Sequence, residues 1–406
     1  MFRLKKDSPI TIFDIGNSKI ACIIFRVEEN KTKILGMGHK KSKGIVQNTI
    51  QNYDLLSNEI NNVFEIANKS KILRKGDKFF SNITDNNIYT KKNYSELKAG
   101  KLGITKKIIR EIYKKNIIDI NIKNKQLIHS FPYNFYLNNN EVSDDPLGKK
   151  CNNIGFSSFN VFVDKLLING FEKCFDKNKI KIKNFYDSGV AAALANLSEY
   201  EKKSGTVCID IGYYSSKVVV FLKNKIIYTD NIPLGGIDIT KDLSKGLEVS
   251  EEEAELAKII HGNLQSSYNE TIEIGTDSKN KKKISKNLLL GIIKPRYEEI
   301  LEIIRDNLFD NLHARVGINN IVLTGGASKI YGLESLSSQL FNRKSRIGKI
   351  ENNSSFFYNK PEFSSLLGLI ELSKNHRISE INEQISGSKV VSVFDKIENW
   401  IEDSYA

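Results

Sequence analysis

Two stretches of the chain carry the same pattern: TIFDIGNSKIACIIF at residues 11–25 and VCIDIGYYSSKVVVF at residues 207–221. Each consists of an apolar run rich in β-branched residues, a short polar segment that contains glycine, and a second run of the same kind. This composition predicts a β-hairpin whose tip follows an aspartate at the end of the first strand. Because the pattern occurs twice, the sequence predicts two similar halves that face each other across a cleft.

The composition is that of an ordinary core-forming protein. The chain has 406 residues, 40% of them hydrophobic and 27% charged, which favours two or three domains. No apolar run approaches the roughly 18 residues of a membrane-spanning helix, and no secretory leader is expected. The four cysteines lack metal-binding spacing and are predicted to lie in the core of a protein from a reducing compartment: Cys22, Cys151, Cys174 and Cys208.

The net charge of +13 raises the question of nucleic-acid binding. The lysines are distributed along the chain, for example at Lys40–Lys41 and Lys281–Lys283, without interleaved aromatic residues or a recognised nucleic-acid motif. We therefore expect a solvated basic surface and no nucleic-acid partner.

Residues 81–162 differ in pattern from the two hairpin regions and are predicted to form an inserted α+β subdomain. They contain a helical pattern at residues 105–115 and candidate strands at residues 126–131 and 156–163. The predicted boundaries are residues 1–80 with 163–200 for the first half, 81–162 for the insertion, 201–376 for the second half, 377–389 for a linker and 390–406 for a terminal amphipathic helix.

The second half contains clear helix signals. Ser250 and Glu253 form a capping box at the start of a helix that should end near Gly262. Pro295 marks either the start of a second helix over residues 296–308 or a break into one. The polar residues 262–286 between these helices are expected to form a loop or a β-hairpin. Residues 321–328 predict a buried strand that ends in a Gly-Gly turn into a helix.

The two hairpins and the Gly-Gly turn have the chemistry of a phosphate site. A glycine at a hairpin tip lets backbone N–H groups approach a phosphate. An aspartate at a strand end can hold Mg²⁺ through water, and Lys19 can reach phosphate oxygens as a point charge. The turn at Thr324 to Gly326 would allow close backbone approach to an adenosine.

The order of these motifs resembles the actin and heat-shock ATPase superfamily, which also includes sugar kinases. Over essentially its whole length the chain resembles the FtsA family of bacterial actin-like cell-division proteins. The matching segments are residues 14–19, 187–193, 210–212, 233–242, 255–262, 295–299 and 323–327, with two further matches inside the insertion at 129–132 and 145–148. The resemblance implies a two-lobed α/β actin-like fold with a nucleotide cleft, and an insertion that corresponds to subdomain 1C.

The resemblance also implies a nucleotide site for ATP and Mg²⁺. Its residues are Asp14, Gly16, Asn17, Ser18, Lys19, Asp210, Gly212, Tyr213, Tyr214, Ser215, Gly235, Gly236, Glu255, Lys258, Thr324, Gly325, Gly326 and Ala327. Asp14 and Asp210 would hold Mg²⁺ through water, and Glu255 and Lys258 would contact the ribose and the base.

The second hairpin departs from the family pattern. Tyr213 and Tyr214 replace two glycines of the usual Asp-Ile-Gly-Gly-Gly-Thr segment, and Lys217 adds a cation where relatives are often neutral or acidic. The tyrosines predict that backbone approach to the phosphates is blocked or rerouted, although a serine hydroxyl at Ser215 or Ser216 remains as a donor. No residue is identified that would orient an attacking water, so at most weak ATPase activity is expected.

The last residues carry an apolar stripe at helical spacing, formed by Val393, Phe394, Ile397, Trp400 and Ile401. A stripe of this kind behind a polar tether is typical of an interfacial membrane anchor. Residues 393–403 contain one lysine against four acidic residues, unlike most lipid-binding helices. Docking on a partner or on the protein itself, or a disordered tail, are the alternatives.

The function implied by the resemblance is that of an adaptor. The chain would bind the C-terminal tail of FtsZ, assemble with itself into head-to-tail filaments, and contact other division proteins through subdomain 1C. Arg296 is the candidate for pairing with the acidic FtsZ tail. The location would be cytoplasmic, peripheral on the inner membrane at the division site. The alternatives are a rod-shape or pilus-assembly actin homologue and, in the enzyme class, a sugar or acetate kinase relative.

Overall fold

The computed structural model describes residues 9–28, 31–71, 78–100, 103–120, 122–138, 141–265, 270–275, 282–312, 317–350 and 360–374. These residues form two compact units. The first comprises residues up to Ala191, Lys225–Ile227 and the residues from Gly368 onward. The second comprises Ala192–Asn224 and Tyr228–Leu367.

The first unit contains, among its described residues, a larger sheet of five strands, a sheet of four strands and a two-stranded sheet. Its strands and helices are β1 (Ile10–Ile15), β2 (Lys19–Glu28), β3 (Lys31–Lys41), β4 (Ile45–Val46), β5 (Thr49–Ile50), α1 (Tyr53–Ala67), β6 (Lys78–Ile83), β7 (Tyr89–Lys98), α2 (Lys106–Ile118), β8 (Lys125–Leu137), β9 (Glu141–Ser143), β10 (Asn153–Asp164), α3 (Lys165–Asp176) and β11 (Ile182–Asp187). The larger sheet has the strand order β11-β6-β1-β2-β3. All six residues of β1 are buried, as expected for the centre of a sheet covered on both faces.

The second unit is built in the same way. Its elements are α5 (Glu199–Ser204), β12 (Thr206–Ile211), β13 (Ser216–Leu222), β14 (Lys225–Ile232), α6 (Gly236–Leu247), α7 (Glu251–His261), β15 (Thr271–Ile274), β16 (Lys282–Ser285), α8 (Lys286–Leu312), β17 (Asn320–Thr324), α9 (Leu333–Phe341) and β18 (Lys344–Ile347). Two further helices, α4 (Ser188–Asn196) and α10 (Ser364–Lys374), contain residues of both units, as does β14, whose first three residues belong to the first unit.

The two large sheets share one topology, which confirms the predicted duplication. Strand β1 is antiparallel to β2 and parallel to β6, and β12 is antiparallel to β13 and parallel to β17. The order β14-β13-β12-β17-β18 therefore repeats the order β3-β2-β1-β6-β11. In both sheets the hairpin with the Asp-Ile-Gly tip lies at the centre.

The insertion is a separate sheet within the first unit, with the order β7-β10-β8-β9. Helix α2 begins after Thr105, whose hydroxyl caps it, and buries Ile109, Ile112 and Tyr113 against Phe156 of β10. The predicted start at residue 81 falls inside β6, which pairs with β1 and so belongs to the larger sheet. The insertion sheet starts only at β7.

Two expectations about helix starts are corrected. Helix α8 begins at Lys286 and contains Pro295, so of the two alternatives for this proline the helix start at residue 296 is wrong. After β17 the chain enters a short 3₁₀ segment at Gly326–Lys329, and α9 begins only at Leu333. By contrast, the Ser250 capping box and the end of α7 at Gly262 are confirmed. All four cysteines are buried, as predicted.

Candidate functional site

In the first unit, the tip between β1 and β2 is a tight turn in which the Gly16 N–H donates to the carbonyl of Lys19 at 3.0 Å. Asp14, buried near the end of β1, accepts a hydrogen bond from the Asn82 amide at 2.5 Å. The side-chain oxygen of Asn82 in turn accepts a hydrogen bond from the Ile15 N–H at 2.7 Å. Asn82 on β6 thereby orients the Asp14 carboxylate, a role that the sequence patterns did not reveal.

Asn17, the next residue of the tip, is held by hydrogen bonds to other asparagine side chains. The Asn17 amide donates to the Asn48 side-chain oxygen at 2.5 Å, and the Asn48 N–H donates to the Asn17 side-chain oxygen at 3.0 Å. Asn48 then donates to Asn86 at 2.6 Å. Asn17 is therefore fixed within the protein, while Ser18 is exposed and Lys19 half-buried.

The tip of the second hairpin packs directly on the start of α6. The Gly212 N–H donates to the Ser215 carbonyl at 2.9 Å, which closes the turn. The first N–H groups of α6, those of Gly236 and Ile237, donate to the carbonyls of Gly212 and Tyr213 at 2.9 and 2.8 Å. A Cβ on Gly235 would lie only 2.7 Å from the Tyr213 carbonyl oxygen. Glycine is required here by contact between backbones, and two N–H groups of the helix start are engaged inside the protein.

Tyr213 and Tyr214, the two tyrosines at the hairpin tip, pack against each other edge to face, with ring centroids 5.1 Å apart. The Lys241 ammonium lies 5.9 Å from the centroid of the Tyr214 ring, at the outer limit of a cation–π contact. Burial, with the nearby Glu255 carboxylate, raises the pKa of Tyr213, so its hydroxyl stays protonated. The tyrosines thus add aromatic rings to the hairpin tip, with a neutral donor at Tyr213.

Next to the tip of this hairpin, Asp210 is 7% exposed. The Lys217 ammonium lies 3.3 Å from one of its carboxylate oxygens. The other oxygen faces Gly325, where φ is +89° and a Cβ would lie 2.3 Å from it. Gly325 is therefore fixed by its left-handed backbone and by the carboxylate packed against it.

The predicted ribose and base contacts form a network with α6. The Lys258 ammonium donates to the Gly236 carbonyl at 2.7 Å, to the Thr240 hydroxyl at 2.7 Å and to the Glu255 carboxylate at 2.6 Å. Thr240 also donates to Glu255. Burial lowers the pKa of Lys258, while Glu255 acts in the opposite direction. Thr240, one helical turn after Gly236, was not identified from the sequence.

The turn after β17 lies against the same helix start. A Cβ on Gly236 would be 3.2 Å from the Cβ of Ala327, and the hydroxyl of buried Tyr297 donates to the Ala327 carbonyl at 2.7 Å. Thr324 and Ser364 share a hydrogen bond of 2.6 Å between their hydroxyls. The second unit thus brings together the hairpin tip, the Gly235-Gly236 helix start, Lys258 and the Gly325–Ala327 turn.

A divalent cation would have few direct protein ligands here. Among the residues that the structure describes, no three His, Cys, Asp or Glu side chains lie close enough together to hold a metal ion. Magnesium can bind with few carboxylates because it keeps waters and takes phosphate oxygens. Asp210, however, already carries the Lys217 ammonium, so it does not suit the role predicted for it.

Arg296, the predicted partner contact, lies on α8 and pairs with Asp242 of α6. Its Nε and Nη2 donate to the two carboxylate oxygens of Asp242 at 2.6 and 3.1 Å, and Nη1 donates to Glu299. Donation of these hydrogen bonds to the Asp242 carboxylate raises the pKa of the guanidinium. In this structure Arg296 ties two helices together.

The predicted linker at residues 377–389 and the amphipathic segment from Val393 to Ile401 lie outside the described residues. Within the described part of the chain, no helix combines the length and apolar character needed to cross a membrane.

Comparison with known proteins supplies the context for this geometry. The model of the family "Cell division protein FtsA" matches residues 207–368. Cell division protein FtsA of Agrobacterium fabrum is 26% identical over 363 residues, covering 85% of this chain and 82% of the relative. The Bacillus subtilis protein of the same name is 28% identical over 383 residues, covering 90% and 83%.

Solved structures show the same fold at low sequence identity. A chain of the PilM-PilN type IV pilus biogenesis complex aligns with a TM-score of 0.62 and 14% identity, covering 92% of this chain and 98% of that one. MreB5 of Spiroplasma citri bound to ADP aligns with a TM-score of 0.58 and 12% identity, covering 94% and 100%. The protein has the actin-like fold, and its resemblance to the FtsA cell-division proteins is confirmed over most of its length.

Proposed function

We propose that this chain is an actin-like adaptor of bacterial cell division that binds ATP, assembles into head-to-tail filaments and attaches FtsZ to the cytoplasmic face of the inner membrane. One observation supports nucleotide binding. Within one unit, the second hairpin lies together with the Gly235-Gly236 helix start, Lys258 and the Gly325–Ala327 turn. The proposed role in cell division is supported by the relatives named Cell division protein FtsA.

In this proposal the nucleotide acts as a conformational ligand. Binding to one conformation shifts the population toward it, in proportion to the difference in affinity between conformations. Among the structural neighbours, MreB5 was solved with ADP and with AMPPNP, which supports a nucleotide at the equivalent motifs. Slow or negligible hydrolysis is compatible with this role, since binding alone shifts the equilibrium.

The proposed contact with the FtsZ tail uses Arg296 and its surroundings on α8. An acidic peptide would compete with Asp242 and Glu299 for the guanidinium. We expect Arg296→Glu to abolish binding of an FtsZ C-terminal peptide, measured by fluorescence anisotropy. Lys294→Glu, a charge reversal two residues away in the same helix, is the matched control. An unchanged affinity in the Arg296 variant would remove this residue from the interface.

The proposed membrane attachment uses residues 390–406, with Trp400 at the level of the lipid headgroups. Co-sedimentation with liposomes tests it on the full chain, on a truncation that ends at His376 and on Trp400→Glu, each with and without FtsZ and ATP. The full chain should sediment and carry FtsZ with it, whereas the truncation should leave both in the supernatant. Equal sedimentation of the Trp400 variant and the parent would refute the anchor.

Nucleotide binding is tested by isothermal titration with ATP. Saturable binding with a turnover close to that of the buffer blank is expected for an adaptor. Rapid phosphate release that depends on a small-molecule acceptor would instead favour the kinase alternative. Binding of a pilus-assembly peptide in place of the FtsZ peptide would favour a role in pilus biogenesis, as in the PilM-PilN complex.

A further inference from the structure

Lys217 and Asp210 form a built-in ion pair next to the tip of the second hairpin. The two residues lie directly opposite each other in the antiparallel register of β12 and β13, so their side chains project from the same face of the sheet. Their charged atoms are 3.3 Å apart, and the side chains are only 14% and 10% exposed. The register of the hairpin, rather than a chance rotamer, brings the ammonium to the carboxylate.

The surroundings leave little room for another cation on this carboxylate. The oxygen of Asp210 that does not meet Lys217 is packed against Gly325, where an added Cβ would lie 2.3 Å away. The Lys217 ammonium itself would be 3.4 Å from a Cβ placed on Gly212, which positions it beside the glycine of the tip. The lysine charge therefore occupies the point where the hairpin meets the Gly325 turn.

An ammonium and a hydrated magnesium ion can compensate the same buried carboxylate. A lysine head is a compact, strongly hydrated charge, and a carboxylate removed from water requires an opposite charge close by. With Lys217 present, a divalent ion at Asp210 would meet like charge at short range. If Lys217 were replaced by an uncharged residue, the nearly buried Asp210 carboxylate would lose the positive charge beside it.

We propose that Lys217 replaces the divalent cation at Asp210, so that this chain binds the phosphates of a nucleoside di- or triphosphate without requiring Mg²⁺. The inference rests on the nucleotide-binding function proposed above. The ammonium compensates the charge of Asp210 permanently and offers its remaining N–H donors to phosphate oxygens near the tip. Metal removal, which should release a nucleotide from a site that depends on Mg²⁺, leaves this one bound.

The first test measures affinity for ADP and ATP by isothermal titration, with excess MgCl₂ or excess EDTA. For the parent we expect dissociation constants within about threefold of each other in the two buffers. Lys217→Met keeps the length of the side chain and removes its charge, and should weaken binding in EDTA by about tenfold or more, with recovery in Mg²⁺. Lys344→Met, on an exposed position of edge strand β18 in the same sheet, should behave like the parent.

The second test needs no nucleotide. Thermal unfolding of the apo-protein should be insensitive to Mg²⁺ in the parent and in Lys344→Met, whereas Mg²⁺ should raise the melting temperature of Lys217→Met because the ion then binds Asp210. An equal effect of Mg²⁺ on parent and Lys217→Met would overturn the inference. So would a loss of parent affinity of about tenfold or more in EDTA, a result that requires no variant.

The two tests separate the inference from the function on which it rests. Absence of heat with ADP and ATP in both buffers would refute nucleotide binding, and the melting experiment would then decide the role of Lys217 alone. Stabilisation of Lys217→Met alone by Mg²⁺ supports the replacement of the cation even in that case.

Discussion

At the residue scale, the glycines of the second unit differ sharply in what they do. Gly325 and Gly326 are neighbours in one predicted motif, yet a Cβ on Gly325 would collide with the Asp210 carboxylate and the Ile211 carbonyl. A Cβ on Gly326 would meet only the Cβ of Glu362, at an ordinary 3.7 Å. A glycine in such a motif therefore does not by itself indicate that a ligand approaches the backbone there.

We expect Gly325→Ala to lower the free energy of unfolding by about 2 kcal/mol or more, because the clash adds to the strain of a left-handed backbone. Gly326→Ala should change it by less than about 0.5 kcal/mol. Thermal unfolding of both variants in the same buffer measures the contrast. Similar melting temperatures for the two variants would contradict the packing described for Asp210.

His129 provides a second prediction at this scale. It is fully buried, its Nε2 accepts a hydrogen bond from the Asp187 N–H at 2.9 Å, and burial lowers its pKa to about 3. The folded state thus favours the neutral ring. Its contribution to stability is complete above the unfolded-state pKa of about 6.5 and is lost as the pH falls toward 3, at up to about 1.4 kcal/mol per pH unit.

His129→Gln retains an acceptor but cannot take up a proton in this range. We expect the unfolding free energy of the parent to fall more steeply than that of the variant between about pH 6 and pH 4. Urea titrations at several pH values measure the two slopes. Parallel pH profiles would show that His129 does not determine the acid sensitivity.

At the element scale, helix α8 contains two residues that weaken helices, Gly291 and Pro295. The position of Gly291 is exposed, and a Cβ there would meet no atom within 4 Å. By contrast, Gly246 in α6 is opposed by the Ile292 side chain of α8, whose Cδ1 would be 2.7 Å from an added Cβ. The two glycines are matched in type and differ in their neighbours.

Gly291→Ala should therefore stabilise the protein by about 0.5–1 kcal/mol, since alanine reduces the backbone freedom of the unfolded chain. Gly246→Ala should show no gain, because displacement of Ile292 offsets the same entropic benefit. Thermal melts of the two single variants provide the comparison. Equal stabilisation at both positions would mean that the Ile292 side chain moves away from α6 with no loss of stability.

The elements also show which sequence signals were sufficient. Both hairpins, the Ser250 cap and the end of α7 could be read from a few consecutive residues, because turn, cap and strand preferences act locally. The start of α8 could not be read from the sequence in this way. Proline usually marks a first turn, but burial of Leu289 and Ile293 extends the helix through Pro295 in this protein.

At the scale of the whole molecule, the net charge of +13 bears on the proposed membrane attachment. Residues 393–403, which contain the apolar stripe, carry a net negative charge, so the attraction to anionic lipid would have to come from lysines elsewhere in the chain. Sedimentation of the full chain with anionic vesicles should therefore decline as NaCl is raised, because screening shortens the electrostatic range from about 10 Å at 0.1 M to about 3 Å at 1 M.

Zwitterionic vesicles serve as the control for that experiment, since apolar insertion of Trp400 alone should change little with salt. Salt-independent sedimentation with anionic vesicles would indicate that the body of the protein makes no electrostatic contribution. In that case the apolar stripe would provide all of the binding.

The sequence by itself determined the repeated Asp-Ile-Gly hairpin, and with it the duplicated sheets, because β-hairpins are formed by residues close together in the chain. It also indicated the resemblance to the FtsA proteins. Only the tertiary structure showed how the motifs are held: Asn82 on Asp14, the hairpin carbonyls on the start of α6, and Tyr297 on Ala327. These partners are separated by tens of residues, so no local preference encodes their contact. Packing decides which backbone and side-chain groups remain for a ligand.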